Sequence, residues 1–346
     1  MNVEHIIDMA RQAGASDVHL VCGLPVKFRL AGRLENAGVD GDAPLSHDDC
    51  EQLARRLAGD DFDRIQRIGE LDRAETIGGV RVRINLFRQQ GHASAALRLL
   101  SDRHPPRWRR WGLPPAVMDF PRIQRGIVVV TGETGSGKST TLAALIDSIN
   151  HTRAENIITM EDPIEYVHKH GTCIVTQREV PTDVATYSEA LRSAMRESPD
   201  VILLGEMRDQ DTIGTAVTAA EMAQLLFSTL HTTGAAGTVD RIIDAFPASQ
   251  QRQIRIQLSM VLQAIVSQQL VPTVDGGTAP AFEIMITNTA IRNLIREEKT
   301  HQLDSAIASG GAEGMRTMDQ SLFDLVKSGR VAKEMALQYS IHTRGA

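Results

Sequence analysis

Cysteine is scarce in this chain of 346 residues: Cys22, Cys50 and Cys173 stand far apart and in no C-x-x-C spacing. That argues against a disulfide framework and against a cysteine zinc site. Aromatic residues make up only 4%, too few to build platforms on which bases stack. Nor is there an excess of basic charge. With 37 Lys and Arg against 43 Asp and Glu the formal net charge is −6, so wholesale nucleic-acid binding is not expected, although a local basic face is compatible with that total. Long apolar runs are missing too. Ile127–Val130 and Val201–Leu204 are strand-sized, well short of the ~20 residues of a membrane helix. Glu4, His5 and Asp8 interrupt the N-terminus, which lacks the apolar stretch of a signal peptide. These absences predict a cytoplasmic protein with no nucleic-acid partner.

What is present is ordinary in bulk and informative in pattern. The apolar share of 42% and charged share of 23% suit a soluble globular chain, and the length allows two or three domains. The first hundred residues read as an α+β module. Val3–Ala13 has helical spacing, Asp17–Val21 and Lys27–Leu30 read as strands, and Ser46 is an N-cap for a helix to Ala58. Arg81–Phe87 alternates, with Arg81, Arg83 and Asn85 on one face and Val82, Ile84 and Leu86 on the other; Ala95–Leu100 is its candidate partner. Residues 101–120 read as a linker. Pro and Arg crowd it (His104-Pro105-Pro106, Arg107–Arg110, Leu113-Pro114-Pro115), which predicts no regular element and a boundary near residue 110.

From 121 to 346 the pattern changes to strands followed by helices, which predicts a parallel sheet with crossover helices. Ile127–Thr131, Ile157–Met160, Val201–Leu204 and Leu225–Thr229 are the continuous apolar runs that doubly covered strands require. After about residue 250 the reading is helical. Ile254, Leu258, Val261, Leu262 and Ile265 fall on one helical stripe, and Ala290–Arg296 and Met318–Val326 are also amphipathic.

The strongest motif is Gly132-Glu133-Thr134-Gly135-Ser136-Gly137-Lys138-Ser139, a complete G-x-x-x-x-G-K-[ST]. It follows a strand and opens a helix carrying Leu142, Leu145, Ile146 and Ile149 on one face, the context that the motif needs. Glycines let successive N–H groups turn toward phosphate oxygens, and the helix N-terminus adds its positive end. Gly132, Thr134, Gly135, Ser136, Gly137, Lys138, Ser139 and Thr140 are therefore the candidate nucleotide-binding residues. Lys138 reaches the β- and γ-phosphates and the Ser139 hydroxyl ligates Mg²⁺, so ATP and Mg²⁺ are the expected ligands.

Other clusters admit two readings each. Glu206 ends the apolar run from Val201; it either holds Mg²⁺ and orients water or caps a solvated loop. Glu161-Asp162-Pro163-Ile164-Glu165 follows another strand and either activates water or caps the next turn. His231, in Thr229–Thr233, either senses the γ-phosphate or is structural. Arg81, Arg83 and Arg98 either bring cations to the transferred phosphate or form a solvated basic sheet face.

Together these parts resemble the secretion ATPase superfamily, and within it the type IV pilus retraction (twitching motility) ATPases. Ala15–Leu20 (ASDVHL), Arg83-Ile84-Asn85, Thr159–Val167 (TMEDPIEYV), Leu204–Asp209 (LGEMRD) and Ser228–Thr233 (STLHTT) carry the likeness, and Ala290–Glu297 (AIRNLIRE) is its most specific part. The resemblance implies an α/β fold, an N-terminal PAS-like α+β domain followed by a RecA-like P-loop NTPase domain with a helical C-terminal part. It implies Glu165 as the catalytic glutamate, Glu206 as the Walker B acid and metal-site residue with Ser139, His231 as a nucleotide-state sensor, and Arg83 and Arg98 as cations for the phosphates. It further implies a homohexamer peripheral at the inner membrane, an inner-membrane pilus platform protein as partner, and a second retraction ATPase as another. Substituting Arg292 or Arg296 is then expected to stop retraction while sparing hydrolysis. Two departures stand out. Glu133 replaces the usual Pro, and Met222-Ala223-Gln224 replaces Thr-Gly-His, so the His box lacks its first histidine; both bear on turnover and coupling rather than nucleotide binding. Pilus-assembly or type II secretion ATPases are the rival reading, being longer and often carrying a four-cysteine site. A low-turnover nucleotide-binding subunit that regulates another motor is the second.

Overall fold

The computed structural model describes residues 2–30, 32–100 and 112–340. The chain groups into two units, Met1–Arg103 joined by Pro163–Glu165, and His104–Asp162 joined by Tyr166–Ala346.

Alternation drives the first unit. Strands β1 (Asp17–Leu20), β2 (Lys27–Leu30), β3 (Arg33–Asn36), β4 (Glu70–Ile77), β5 (Val80–Gln89) and β6 (His92–Leu99) form one sheet in the order β3-β2-β1-β6-β5-β4, every pairing antiparallel. Along β5, Val82, Ile84 and Leu86 are buried while Arg81, Arg83 and Asn85 are only half-buried, as the period of two demands. The apolar sheet positions share one core with Val3, Ile6, Ile7 and Ala10 of the helix Val3–Gln12 and with Leu53, Ala54 and Leu57 of the helix His47–Ala58. That second helix starts at Ser46 because a reciprocal cap forms there. The Asp49 N–H donates to Ser46 Oγ at 3.1 Å, and the Ser46 N–H donates to the Asp49 carboxylate at 2.9 Å.

In the second unit, strands β7 (Gly126–Thr131), β8 (Asn156–Glu161), β9 (Ile174–Glu179), β10 (Val201–Leu204), β11 (Leu225–Leu230), β12 (Leu262–Pro272) and β13 (Thr278–Ile286) make a sheet in the order β13-β12-β7-β11-β10-β8-β9. All neighbours run parallel except β12 and β13. Both faces are covered. Ile127 and Val129 of β7 join one core, Val128 and Val130 the other, which explains why these strands read as unbroken apolar runs. The parallel register brings the carboxyl ends of β7, β8, β10 and β11 to one edge, where loops bind ligands.

Two expectations need correction. Leu262 and Ile265 do not continue a helical stripe: the helix Ala248–Val261 stops at Val261 and β12 begins with Leu262. A short buried apolar run carries no period that separates strand from helix, and the β-branched Ile265-Val266 pair favours the strand. The C-terminal part is thus not purely helical; it contributes the β12–β13 hairpin to the sheet besides the helices Thr289–Arg296 and Met318–Lys327. Second, the Pro-rich stretch does hold a regular element, the single helical turn Pro115–Met118. Proline at the first helical position loses no bond, and Leu113, Val117 and Phe120 bury their side chains around it. The rest of the linker expectation, including Arg107, Arg109 and Arg110, lies outside the described residues. Among the described residues no helix is long and apolar enough to cross a membrane.

Candidate nucleotide site

The loop between β7 and the helix Lys138–Thr152 is shaped by glycines in conformations that other residues resist, with φ of 143° at Gly132, 82° at Gly135 and 91° at Gly137. Gly132 has a second reason to lack a side chain: a Cβ there would lie 2.3 Å from the Gln268 carbonyl oxygen and 2.7 Å from Ser136 Oγ. The loop wraps the Lys138 side chain. Its Nζ donates to the carbonyls of Gly132 at 2.8 Å and Glu133 at 2.9 Å, which holds a buried ammonium against the loop. Gly137 is the N-cap and has no side chain to bond the first-turn N–H groups of the helix. Ser136 Oγ is buried and has no hydrogen-bond partner among the described residues. Cation, N–H groups and spare hydroxyl together suit phosphate oxygens.

At the end of β10 the chain turns through Gly205, whose N–H donates to the Met160 carbonyl at 2.7 Å. A Cβ on Gly205 would meet Tyr187 Oη at 2.8 Å. Thr229 Oγ1 donates to the Gly205 carbonyl at 2.6 Å, so the turn carrying Glu206 is fastened to β11. Glu206 is ion-paired with Arg208, and its Oε2 lies 3.7 Å from His231 Nε2. Burial, then the Lys138 ammonium, hold the His231 imidazole below its ordinary pKa, against the opposing pull of Glu206 and with a smaller push from Arg208. The loop after His231 is secured from three strands. Thr131 Oγ1 donates to the Thr232 carbonyl at 2.5 Å, the Gly234 N–H to Ser267 Oγ at 3.1 Å, and the Ala235 N–H to the buried carboxylate of Glu283 at 2.7 Å.

At the end of β8, Glu161 is engaged as an acceptor, from Thr159 Oγ1 at 2.7 Å and Gln177 Nε2 at 3.2 Å. Thr140 Oγ1 and Tyr166 Oη are 2.9 Å apart, which links the first turn of the phosphate-loop helix to this segment. Pro163–Glu165 groups with the first unit, where Arg81 Nε donates to the Ile164 carbonyl at 3.2 Å; Glu165 is half-buried. Arg83 and Arg98 face each other across β5 and β6. Each is held by a carboxylate of its own sheet, Arg83 by Asp72 at 2.5 Å and Arg98 by Asp17 at 2.9 Å. Burial raises the Asp17 pKa, but hydrogen bonds from Ser16 and Arg98 outweigh it and keep the carboxyl below its usual range.

The second unit therefore brings Lys138, Glu206 and His231 into one electrostatic group beside the glycine loop, while Arg83, Arg98 and Glu165 belong to the first unit. Ser139 and Glu206 offer a hydroxyl and a carboxylate, hard oxygen donors of the kind Mg²⁺ takes alongside phosphates. The two departures differ in place. Glu133 is exposed on the phosphate loop itself. Gln224 precedes β11 and its carbonyl accepts from the Gly126 N–H at 2.9 Å, at the amino edge of the sheet. Six strand residues, or about 20 Å at ~3.3 Å each, separate it from His231, so the expected influence on turnover has no direct route to the phosphate loop of its own chain. Motif reading missed Gln268 and Glu283, polar residues 0% and 5% exposed inside β12 and β13. Glu283 had a signal, a lone acid between Phe282 and Ile284 in an apolar strand run, whereas Gln268 sits between two other polar residues, Ser267 and Gln269.

The sequence family described as "Type II/IV secretion system protein" matches residues 80–334. Over 341 residues the chain is 44% identical to the type IV pilus retractation ATPase PilT of Pseudomonas aeruginosa, covering 97% of each sequence. It is 34% identical over 345 residues to the type IV pilus ATPase PilU of the same organism, covering 98% of this chain and 89% of PilU. The crystal structure of the pilus retraction motor PilT with bound ADP matches with a TM-score of 0.93 and 43% identity, covering 100% of this chain and 99% of that one.

Proposed function

This chain belongs to the type II/IV secretion system protein family and is an ATPase of the pilus-retraction kind; from that premise we propose how its residues do the work. The observation that carries the reading is the glycine-built loop around Lys138 in a chain that aligns with a retraction ATPase over 97% of both lengths. The first unit is the PAS-like domain, within residues 1–100, and residues 121–346 are the RecA-like domain, joined by a linker at 101–120. Lys138, the N–H groups of Gly135 and Gly137, and the hydroxyls of Ser136 and Thr140 bind the phosphates; Gly132 and Thr134 complete the loop. Ser139 and Glu206 would hold Mg²⁺, which would supply charge neutralisation for the phosphates.

Glu165 takes the proton of the attacking water, and His231 senses whether the γ-phosphate is present. Arg83 and Arg98 are the cations that stabilise the transferred phosphoryl group, exchanging Asp72 and Asp17 for it. Six copies form a ring that acts, peripheral at the inner membrane, on a pilus platform protein and returns pilin subunits to the membrane. A second retraction ATPase, related as PilU is related to this chain, works beside it.

Steady-state ATP hydrolysis by the purified protein, with Glu165→Gln alongside and oligomer mass measured in the same buffer, tests the proposal. Mg²⁺-dependent turnover by a hexamer that collapses in the variant is the expected result. Tight nucleotide binding without turnover in an assembled ring would instead favour a regulatory subunit.

A further inference from the structure

The face of β12 that carries Ala264 and Val266 is apolar core, and two residues further along, where an apolar side chain would continue it, stands Gln268 with no exposed surface. A buried amide is costly unless both its ends are bonded. Both are, one to the phosphate loop and one to the helix that follows it. Gln268 Nε2 donates to the Ser136 carbonyl at 2.7 Å, and Gln268 Oε1 accepts from Thr141 Oγ1 at 2.7 Å. Its main-chain carbonyl is also what excludes a Cβ at Gly132. A single residue thus meets the phosphate loop at its first glycine, at its centre and in the first turn of the helix after it.

The bond to Ser136 does more than fill a valence. A trans peptide is planar with its C=O and N–H pointing opposite ways, so drawing the Ser136 carbonyl toward Gln268 turns the Gly137 N–H away from β12. The Thr141 bond fixes the rotation of the helix whose first turn carries Lys138 and Ser139. Next door, Ser267 faces the other side of the strand, where its Oγ accepts the Gly234 N–H of the His231 loop. We propose that Gln268 is a positioning residue for the nucleotide: its amide orients the Ser136–Gly137 peptide and the helix start, and nucleotide affinity depends on both bonds. The proposal rests on the nucleotide-binding reading of the loop.

Binding of mant-ADP to the full-length protein, from pH 8 down to pH 5.5, tests it with wild type, Gln268→Leu and Gln268→Glu, each compared with wild type at the same pH. Leucine keeps the volume and loses both bonds, and its affinity should fall about tenfold or more at every pH. Glutamate at pH 8 cannot donate to Ser136 and sets a negative charge near the phosphates, so it should bind more weakly than leucine. Once protonated it offers the same donor and acceptor pair as the amide, and its affinity should climb toward wild type as the pH falls. A role in packing alone predicts three equal affinities. Leucine binding within twofold of wild type, or a glutamate variant whose affinity relative to wild type is flat with pH, overturns the proposal. Should the leucine variant fail to fold, the glutamate profile decides alone. Wild type that does not bind mant-ADP would overturn the nucleotide reading itself, a different result from equal binding by all three.

Discussion

The Glu206 carboxylate lies 3.7 Å from the His231 imidazole, Oε2 to Nε2, across the ends of adjacent parallel strands. The pair sits next to Lys138, and burial followed by the Lys138 ammonium holds the histidine below its ordinary pKa, while Glu206 pulls the other way.

Glu206→Gln keeps the shape of this group and removes its charge. On the proposed role of Glu206 toward metal and water, turnover should fall about 100-fold or more. Affinity for mant-ADP should change only a few-fold. Parallel measurement of kcat and of nucleotide Kd checks this, and equal losses in both would place Glu206 among the binding groups instead.

Arg292 and Arg296 are one turn apart but are not equivalent. Arg292 Nη1 donates to the carbonyls of Ser259 at 2.6 Å and Met260 at 2.7 Å, closing the last turn of the helix Ala248–Val261, whereas Arg296 is exposed. Arg292→Ala leaves those carbonyls without their cation and should cost about 1–2 kcal/mol of stability. Arg296→Ala should stay within about 0.5 kcal/mol of wild type. Denaturant unfolding of both variants decides, and retraction by the Arg296 variant is then the cleaner reading of what this surface does.

His168 is buried, its Nδ1 has no hydrogen-bond partner among the described residues, and burial followed by His151 lowers its pKa to about 4. Between that value and the ordinary ~6.5 of an unfolded chain, the unfolded state binds the extra proton. Stability is therefore complete above about pH 6.5 and is lost as the pH falls toward 4, by roughly 3 kcal/mol at the lower end. Urea unfolding at pH 7.0 and 5.0 should show the loss in wild type and a smaller one in His168→Leu; an unchanged slope would mean that other groups carry it.

Where one physical cause dominated, the chain was readable in advance. Glycine spacing between an apolar run and an amphipathic helix marked the phosphate loop, and alternation over Arg81–Phe87 marked the middle of β5, which runs from Val80 to Gln89. Signals failed where causes competed. All four residues of β3, Arg33–Asn36, are exposed, so no apolar alternation reveals it. In β4 the buried positions Leu71, Ala74 and Ile77 recur every third residue, which reads as neither strand nor helix. At Val261-Leu262 a helix passes directly into a buried strand without a polar break. Within the site, residues with a local motif were legible, while Gln268 reaches the loop from 132 positions away and no spacing rule spans that distance.

The β12–β13 hairpin pairs nine residues in unbroken register, from Ala264 opposite Ile286 to Pro272 opposite Thr278. Consecutive residues in it, Ser267 and Gln268, hold opposite sides of the sheet. Its tolerance to changes in length is therefore sharply uneven. One residue inserted between Ala264 and Ser267, beyond the irregularity at Leu262–Ala264, would exchange the two faces and detach both loops at once, whereas residues added at the tip, between Thr273 and Gly277, would leave every strand pairing as it is. Over evolutionary time the tip can lengthen, shorten or acquire extra sequence, and the strand can change only by substitution.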